Sequence, residues 1–116
     1  MPEPIDPTVR VLALAALDKK AESLVVLDLQ GLSGVADYFL LCSARSPAHL
    51  ETIADAVHAA VKARGTRLRH REGTAKSGWL ILDCGDVVVH VFLEETRAFY
   101  ALERLWGDAP VVSVEG

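Results

Sequence analysis

No apolar run in this 116-residue chain approaches the roughly 20 residues that a membrane-crossing helix needs, so no membrane partner is expected. The start, MPEPIDPTVR, lacks an apolar signal core behind a basic end, and nothing else marks the chain for export. The expected compartment is the cytoplasm. There are only two cysteines, Cys42 and Cys84. Each sits inside an apolar, strand-like run without C-x-x-C spacing, which points to buried structural thiols rather than to a disulfide. Repeats, low-complexity stretches and an internal domain boundary are also missing. Residues 1–116 read as one domain, with only about 1–6 and 111–116 expected to fray.

The motifs of chemistry are equally scarce. The Gly31-Leu32-Ser33-Gly34 loop fits neither G-x-x-x-x-G-K-[ST] nor G-x-G-x-x-G, so its glycines more simply serve a turn. Asp28 is followed by Leu29 and Gln30, and Asp37 lies beyond that loop. The convergent carboxylates of metal-dependent nucleotidyl transfer are therefore absent. His49 and His58 stand nine apart rather than at the i, i+4 spacing of a shared metal, and are expected at the surface or its boundary. Asp83 and His90 resemble half of a triad, but Cys84 should point to the opposite face and no other nucleophile accompanies them. A structural or interface pair is the better reading. No catalytic residue, metal or cofactor is expected.

What the chain does have is an uneven distribution of aromatics and charge. Five of its seven aromatics lie between Trp79 and Pro110, where they must anchor a core, a docking surface, or both. Residues 62–76 carry Lys62, Arg64, Arg67, Arg69, Arg71 and Lys76 against Glu72, a local charge of +5. From Asp83 onward the balance reverses to −5, within a net charge of −4. Such a dipolar chain suits a basic protein at one end and phosphates at the other.

Hydrophobic spacing gives the order helix, strand, strand, helix, strand, strand, strand, helix. Asp6 and Pro7 start the first helix, and Lys19 and Lys20 close it. Two apolar strands, 24–29 and 37–43, follow. Ser46 and Pro47 open a second helix with the apolar face Leu50, Ile53, Ala54, Val57 and Val61, and Gly65 stops it. A third strand is expected at 66–71, with Arg67, Arg69 and Arg71 on one face. Those arginines are either a phosphate-contacting ribbon or a solvated sheet edge, and the edge is favoured.

WLILDC and VVVHVF flank Gly85-Asp86, a dipeptide suited to a two-residue primed turn. That register pairs Trp79 with Phe92 and Ile81 with His90, and it sorts the side chains. Leu80, Leu82, Cys84, Val87, Val89 and Val91 form an aliphatic face. Trp79, Ile81, Asp83, Val88, His90 and Phe92 form a second, which is either half-covered by helices or reserved for a partner. A last helix with Phe99, Leu102 and Trp106 on one stripe follows and ends at Gly107. The expectation is an α/β domain: a mixed sheet of about five strands flanked by helices, the second helix crossing between neighbouring strands.

Three segments in order carry a resemblance. DLQGLSGVADYFLLCS from Asp28 with Ser46 and His49 behind it, WLILDCGDVVVHVF from Trp79, and RAFYALERLWGDAP from Arg97 together resemble the ribosomal silencing factor (RsfS, or Iojap) family. The similarity runs from about Ala21 to Pro110. It implies a fold with nucleotidyltransferase-like topology but without that activity. It further implies binding to ribosomal protein L-fourteen on the large subunit, steric exclusion of the small subunit, and lowered translation under nutrient limitation.

The acidic, aromatic third is the appropriate half to meet a basic ribosomal protein. Its candidates are Trp79, Asp83, His90, Tyr100, Glu103, Trp106 and Asp108. Trp79 and Tyr100 would be the apolar anchors, and Asp83 and Glu103 the acceptors; for Trp106, burial under the last helix competes with contact. Arg67, Arg69 and Arg71 are the candidates for ribosomal RNA contact. An exposed aromatic face could also pair with itself as a homodimer off the ribosome. The rival functions are a nucleotidyltransferase-like enzyme, opposed by the missing Asp-x-Asp, and a general RNA-binding module, opposed by the negative net charge and the lack of an RNP-like motif.

Overall fold

The computed structural model describes residues 7–31, 36–65, 68–96 and 111–112. Their order is α1 (Pro7–Asp18), β1 (Glu22–Asp28), β2 (Tyr38–Ala44), α2 (Pro47–Ala63), β3 (His70–Thr74), β4 (Trp79–Asp83), β5 (Val87–Leu93) and β6 (Val111–Val112). The strands form one mixed α/β sheet in the order β3-β4-β5-β2-β1-β6. Only β2 and β5 pair in parallel among the described strands.

The second helix starts where its capping residue requires. Ser46 is extended, at φ −155°, and its Oγ accepts the His49 N–H at 3.1 Å, satisfying one of the donors a helix start leaves open. Leu50, Ile53, Ala54, Val57 and Val61 are all buried, as their spacing predicts. The helix ends before Gly65, whose φ of +75° suits a residue without Cβ. In α1, Val9, Leu12, Ala13 and Ala16 are buried, while its expected cap Asp6 lies outside the described residues. Lys20, at φ +64°, closes α1 by donating to the Leu17 carbonyl at 2.8 Å as Ala21 donates to Ala16 at 3.1 Å.

His49 is the boundary residue expected of it, and both its ring nitrogens are used. Nδ1 accepts the Arg45 N–H at 3.0 Å, so Nε2 carries the proton and donates to the Lys19 carbonyl at 2.8 Å. The ring thereby clips the end of α1 to the start of α2.

The β4–β5 hairpin has the register its turn length predicts, from Trp79 opposite Phe92 to Asp83 opposite Val88. Cys84 N–H donates to the Val87 carbonyl at 2.9 Å, closing a two-residue turn in which Gly85 takes φ +91°. Leu80, Leu82, Cys84, Val87, Val89 and Val91 join Val26, Leu40 and Cys42 under α1 and α2 in the main core. Both cysteines are buried and unbridged.

Several expectations need correction. The third strand lies at His70–Thr74 rather than 66–71, because its partner β4 sets its position: His70 pairs with Asp83 and Thr74 with Trp79. Gly73 belongs to that strand, at φ +88°, where a Cβ would run into the Trp79 carbonyl oxygen. The strand is followed by a turn over 75–78 held by bonds between Thr74 and Ser77. The second helix does not link neighbouring strands either; after α2 the chain passes over β5 and β4 to the far edge of the sheet. At the other edge Val111–Val112, expected to fray, pairs with β1. Of the last expected helix, 94–96 is helical and the remainder lies outside the described residues.

Candidate protein-binding face

The sheet face turned away from α1 and α2 is built by alternation. Cross-strand partners share a face, so Trp79, Ile81 and Asp83 of β4 lie with Phe92, His90 and Val88 of β5. The parallel pairing carries the surface on to Phe39 and Leu41 of β2, and β1 adds Val25 and Leu27. On the other flank β3 supplies His70, Glu72 and Thr74. Leu27, Leu29, Leu41 and Phe92 are buried at its centre, with Val25, Phe39 and Trp79 packed half-exposed against them.

Aromatic rings organise this surface. Trp79 stacks on Phe92 with centroids 5.1 Å apart and planes 27° from parallel. His90 lies against Phe39 at 4.6 Å and beneath Trp79, whose Nε1–H donates to its Nδ1 at 3.2 Å. The Asp83–His90 pair expected from sequence does not form. Asp83 and Trp79 are both diagonal neighbours of His90, and only Trp79 reaches it; Asp83 Oδ1 instead accepts the Gly85 N–H at 2.9 Å and steadies the turn. Since His90 is only 5% exposed, it is part of the floor and not of the contact surface expected for it.

Burial pushes the His90 ring down to about 4 from its ordinary 6.5. The unfolded chain therefore binds a proton more readily than the folded one below pH 6.5. The sign follows: the stability tied to a neutral His90 is complete above about pH 6.5 and is lost as pH falls towards 4, by at most about 3 kcal/mol. Urea unfolding between pH 7 and 4 will show a shallower loss for His90→Leu than for the parent chain; equal slopes would refute this assignment.

The Cys84 thiol is raised to about 11 by burial and the neighbouring Asp83 charge, which keeps it protonated and unreactive. No group of three or more metal-ligating side chains occurs among the described residues. Nor is any helix among them long and apolar enough to cross a membrane.

Part of the basic segment is engaged within the fold. Arg71 Nη1 donates to Asp55 on α2 at 3.2 Å, so its charge is already met on the helix side of the sheet. The neighbouring groove of about 530 Å³ mixes Glu51 with Arg71 and Lys76, a poor track for phosphates. Arg69 is exposed, and Arg67 lies outside the described residues.

Of the expected binding residues, the face unites Trp79 and Asp83 above His90. Tyr100, Glu103, Trp106 and Asp108 lie outside the described residues. Sequence reasoning missed Phe39, Leu41, Val25 and Leu27. The alternation in Tyr38-Phe39-Leu40-Leu41-Cys42 separates inward from outward positions, but placing the outward pair beside His90 requires the parallel β2–β5 pairing.

The chain is similar to known proteins along most of its length. Residues 2–116 match the family model RsfS, described as "Ribosomal silencing factor during starvation". The chain is 44% identical over 99 residues to ribosomal silencing factor RsfS of Halalkalibacterium halodurans, covering 85% of each chain. It is 41% identical over 106 residues to the Bacillus subtilis protein of that name, covering 91% of this chain and 90% of that one. A crystal structure of a Chromobacterium violaceum protein superposes with a TM-score of 0.85 at 28% identity, over 90% of this chain and 88% of the other. With nearly its whole length matched in sequence and its fold shared, the chain belongs to the RsfS family of ribosomal silencing factors.

Proposed function

We propose that this chain acts in the cytoplasm by docking on ribosomal protein L-fourteen of the large ribosomal subunit, and that its bulk there keeps the small subunit from joining. The observation that carries the reading is the half-exposed aromatic surface around Trp79, seated on a buried Phe92 floor and flanked by Asp83 and Glu72. A large amphipathic anchor on a rigid sheet, with carboxylates beside it, suits a partner rich in lysine and arginine. The relatives' name, ribosomal silencing factor, supports a ribosomal partner. Tyr100, Glu103, Trp106 and Asp108 belong to the proposed surface as sequence candidates. Repression then follows from occupancy alone, with no bond made or broken.

Immobilised L-fourteen should retain the chain, and added salt should slow association more than it hastens dissociation, because exposed charges chiefly steer encounter. If L-fourteen alone and intact large subunits both fail to retain it, the reading falls.

A further inference from the structure

Position 90 holds a residue that packing alone does not favour. The His90 ring is 5% exposed, enclosed by Phe39 at 4.6 Å and by Phe92 at 6.0 Å with planes 9° apart. Because Nδ1 accepts the Trp79 indole N–H, the neutral ring must carry its proton on Nε2. That Nε2 is buried with no hydrogen-bond partner among the described residues. Burying a polar group unmatched is destabilising, and a leucine of similar volume would fill the space without that cost. The property leucine lacks is an acceptor aimed at Trp79.

The geometry shows what such an acceptor does. Trp79 sits directly opposite Phe92, and His90 is two residues along β5, so the indole must lean along the strand to reach it. Stacking on Phe92 sets the plane of the indole. The bond to Nδ1 fixes the direction in which its N–H edge points. A pre-set anchor loses less rotamer entropy when a partner covers it.

We propose that His90 is a positioning residue: it accepts the Trp79 indole N–H from below and holds the ring in the orientation in which it meets the partner. This rests on the docking reading above. His90 itself touches nothing outside the fold, and its effect on binding passes wholly through Trp79.

The test is a double-mutant cycle read by titration against purified bacterial large ribosomal subunits, with urea midpoints measured beside it. His90→Leu should keep or raise the urea midpoint, yet weaken docking about tenfold, within the range of single interface truncations. Its Trp79 indole N–H signal, assigned by Trp79→Phe, should exchange faster with solvent. His90→Asn places an amide oxygen near the position of Nδ1. It should lower the midpoint but dock within about threefold of the parent chain. In a Trp79→Ala background, His90→Leu should change docking no further.

The proposal is overturned if His90→Leu docks like the parent, if its loss persists without Trp79, or if His90→Asn docks no better than His90→Leu. Should Trp79→Ala itself dock normally, the docking reading fails first, a result distinct from these three.

Discussion

Trp79→Ala will leave the chain folded and weaken its docking on the large subunit by about 1 to 3 kcal/mol, a roughly five- to 150-fold loss of affinity. The two effects separate because of where the residue sits. The main core lies on the opposite face of the sheet, under α1 and α2, and Trp79 is only packed at the margin of the second cluster. Truncating it removes a stack on Phe92 and one hydrogen bond to His90, but leaves the β3–β4 and β4–β5 ladders intact. A partner that covers the face would instead lose its largest apolar contact and gain a pit lined by Phe92 and His90. Fluorescence titration of labelled chain with large subunits measures the loss, and urea unfolding checks the fold. Unchanged affinity in a folded variant would place the docking surface elsewhere.

Phe92→Ala acts on stability instead, with an expected loss of about 3 to 5 kcal/mol. Phe92 is among the largest fully buried side chains, with no exposed surface. Trp79 and His90 stack on its ring from the same face, and β5 is held on both sides, by β4 and by β2. Neighbours locked into two ladders cannot collapse to refill the space, so both the transfer loss and the cavity remain. Against a total stability of about 5 to 15 kcal/mol for a domain, that is enough to unfold a large share of molecules at modest denaturant. The urea midpoint should drop sharply with little change in slope. A fall of under about 1 kcal/mol would mean that this face is not a packed floor at all.

The register of the hairpin was legible because Gly85-Asp86 leaves room for one turn length, and a one-residue slip would have put Leu80 and Leu82 on the wrong side. The limits of α2 were legible because Ser46 and Gly65 mark them chemically. These are local facts.

The misplaced features depend on partners distant along the chain. The position of β3 is set by β4, so its own alternation misplaced it by several residues. Arg71 meets Asp55, sixteen residues away on another element. For His90 the register leaves two diagonal neighbours within reach, Asp83 and Trp79, and does not decide between them. Asp83 had the closer, cheaper partner in the Gly85 N–H, which left His90 to Trp79. The resemblance to the silencing factors was legible throughout, since it rests on runs of consecutive residues.

The most direct measurement is reassociation of ribosomal subunits. Large subunits are first incubated with the chain, small subunits are then added, and whole ribosomes are resolved on a sucrose gradient. The chain should sediment with the large subunit and the whole-ribosome peak should shrink with its concentration, while Trp79→Ala restores the peak. Full reassociation with the chain bound, or no sedimentation of the chain with the large subunit, would contradict the proposed function.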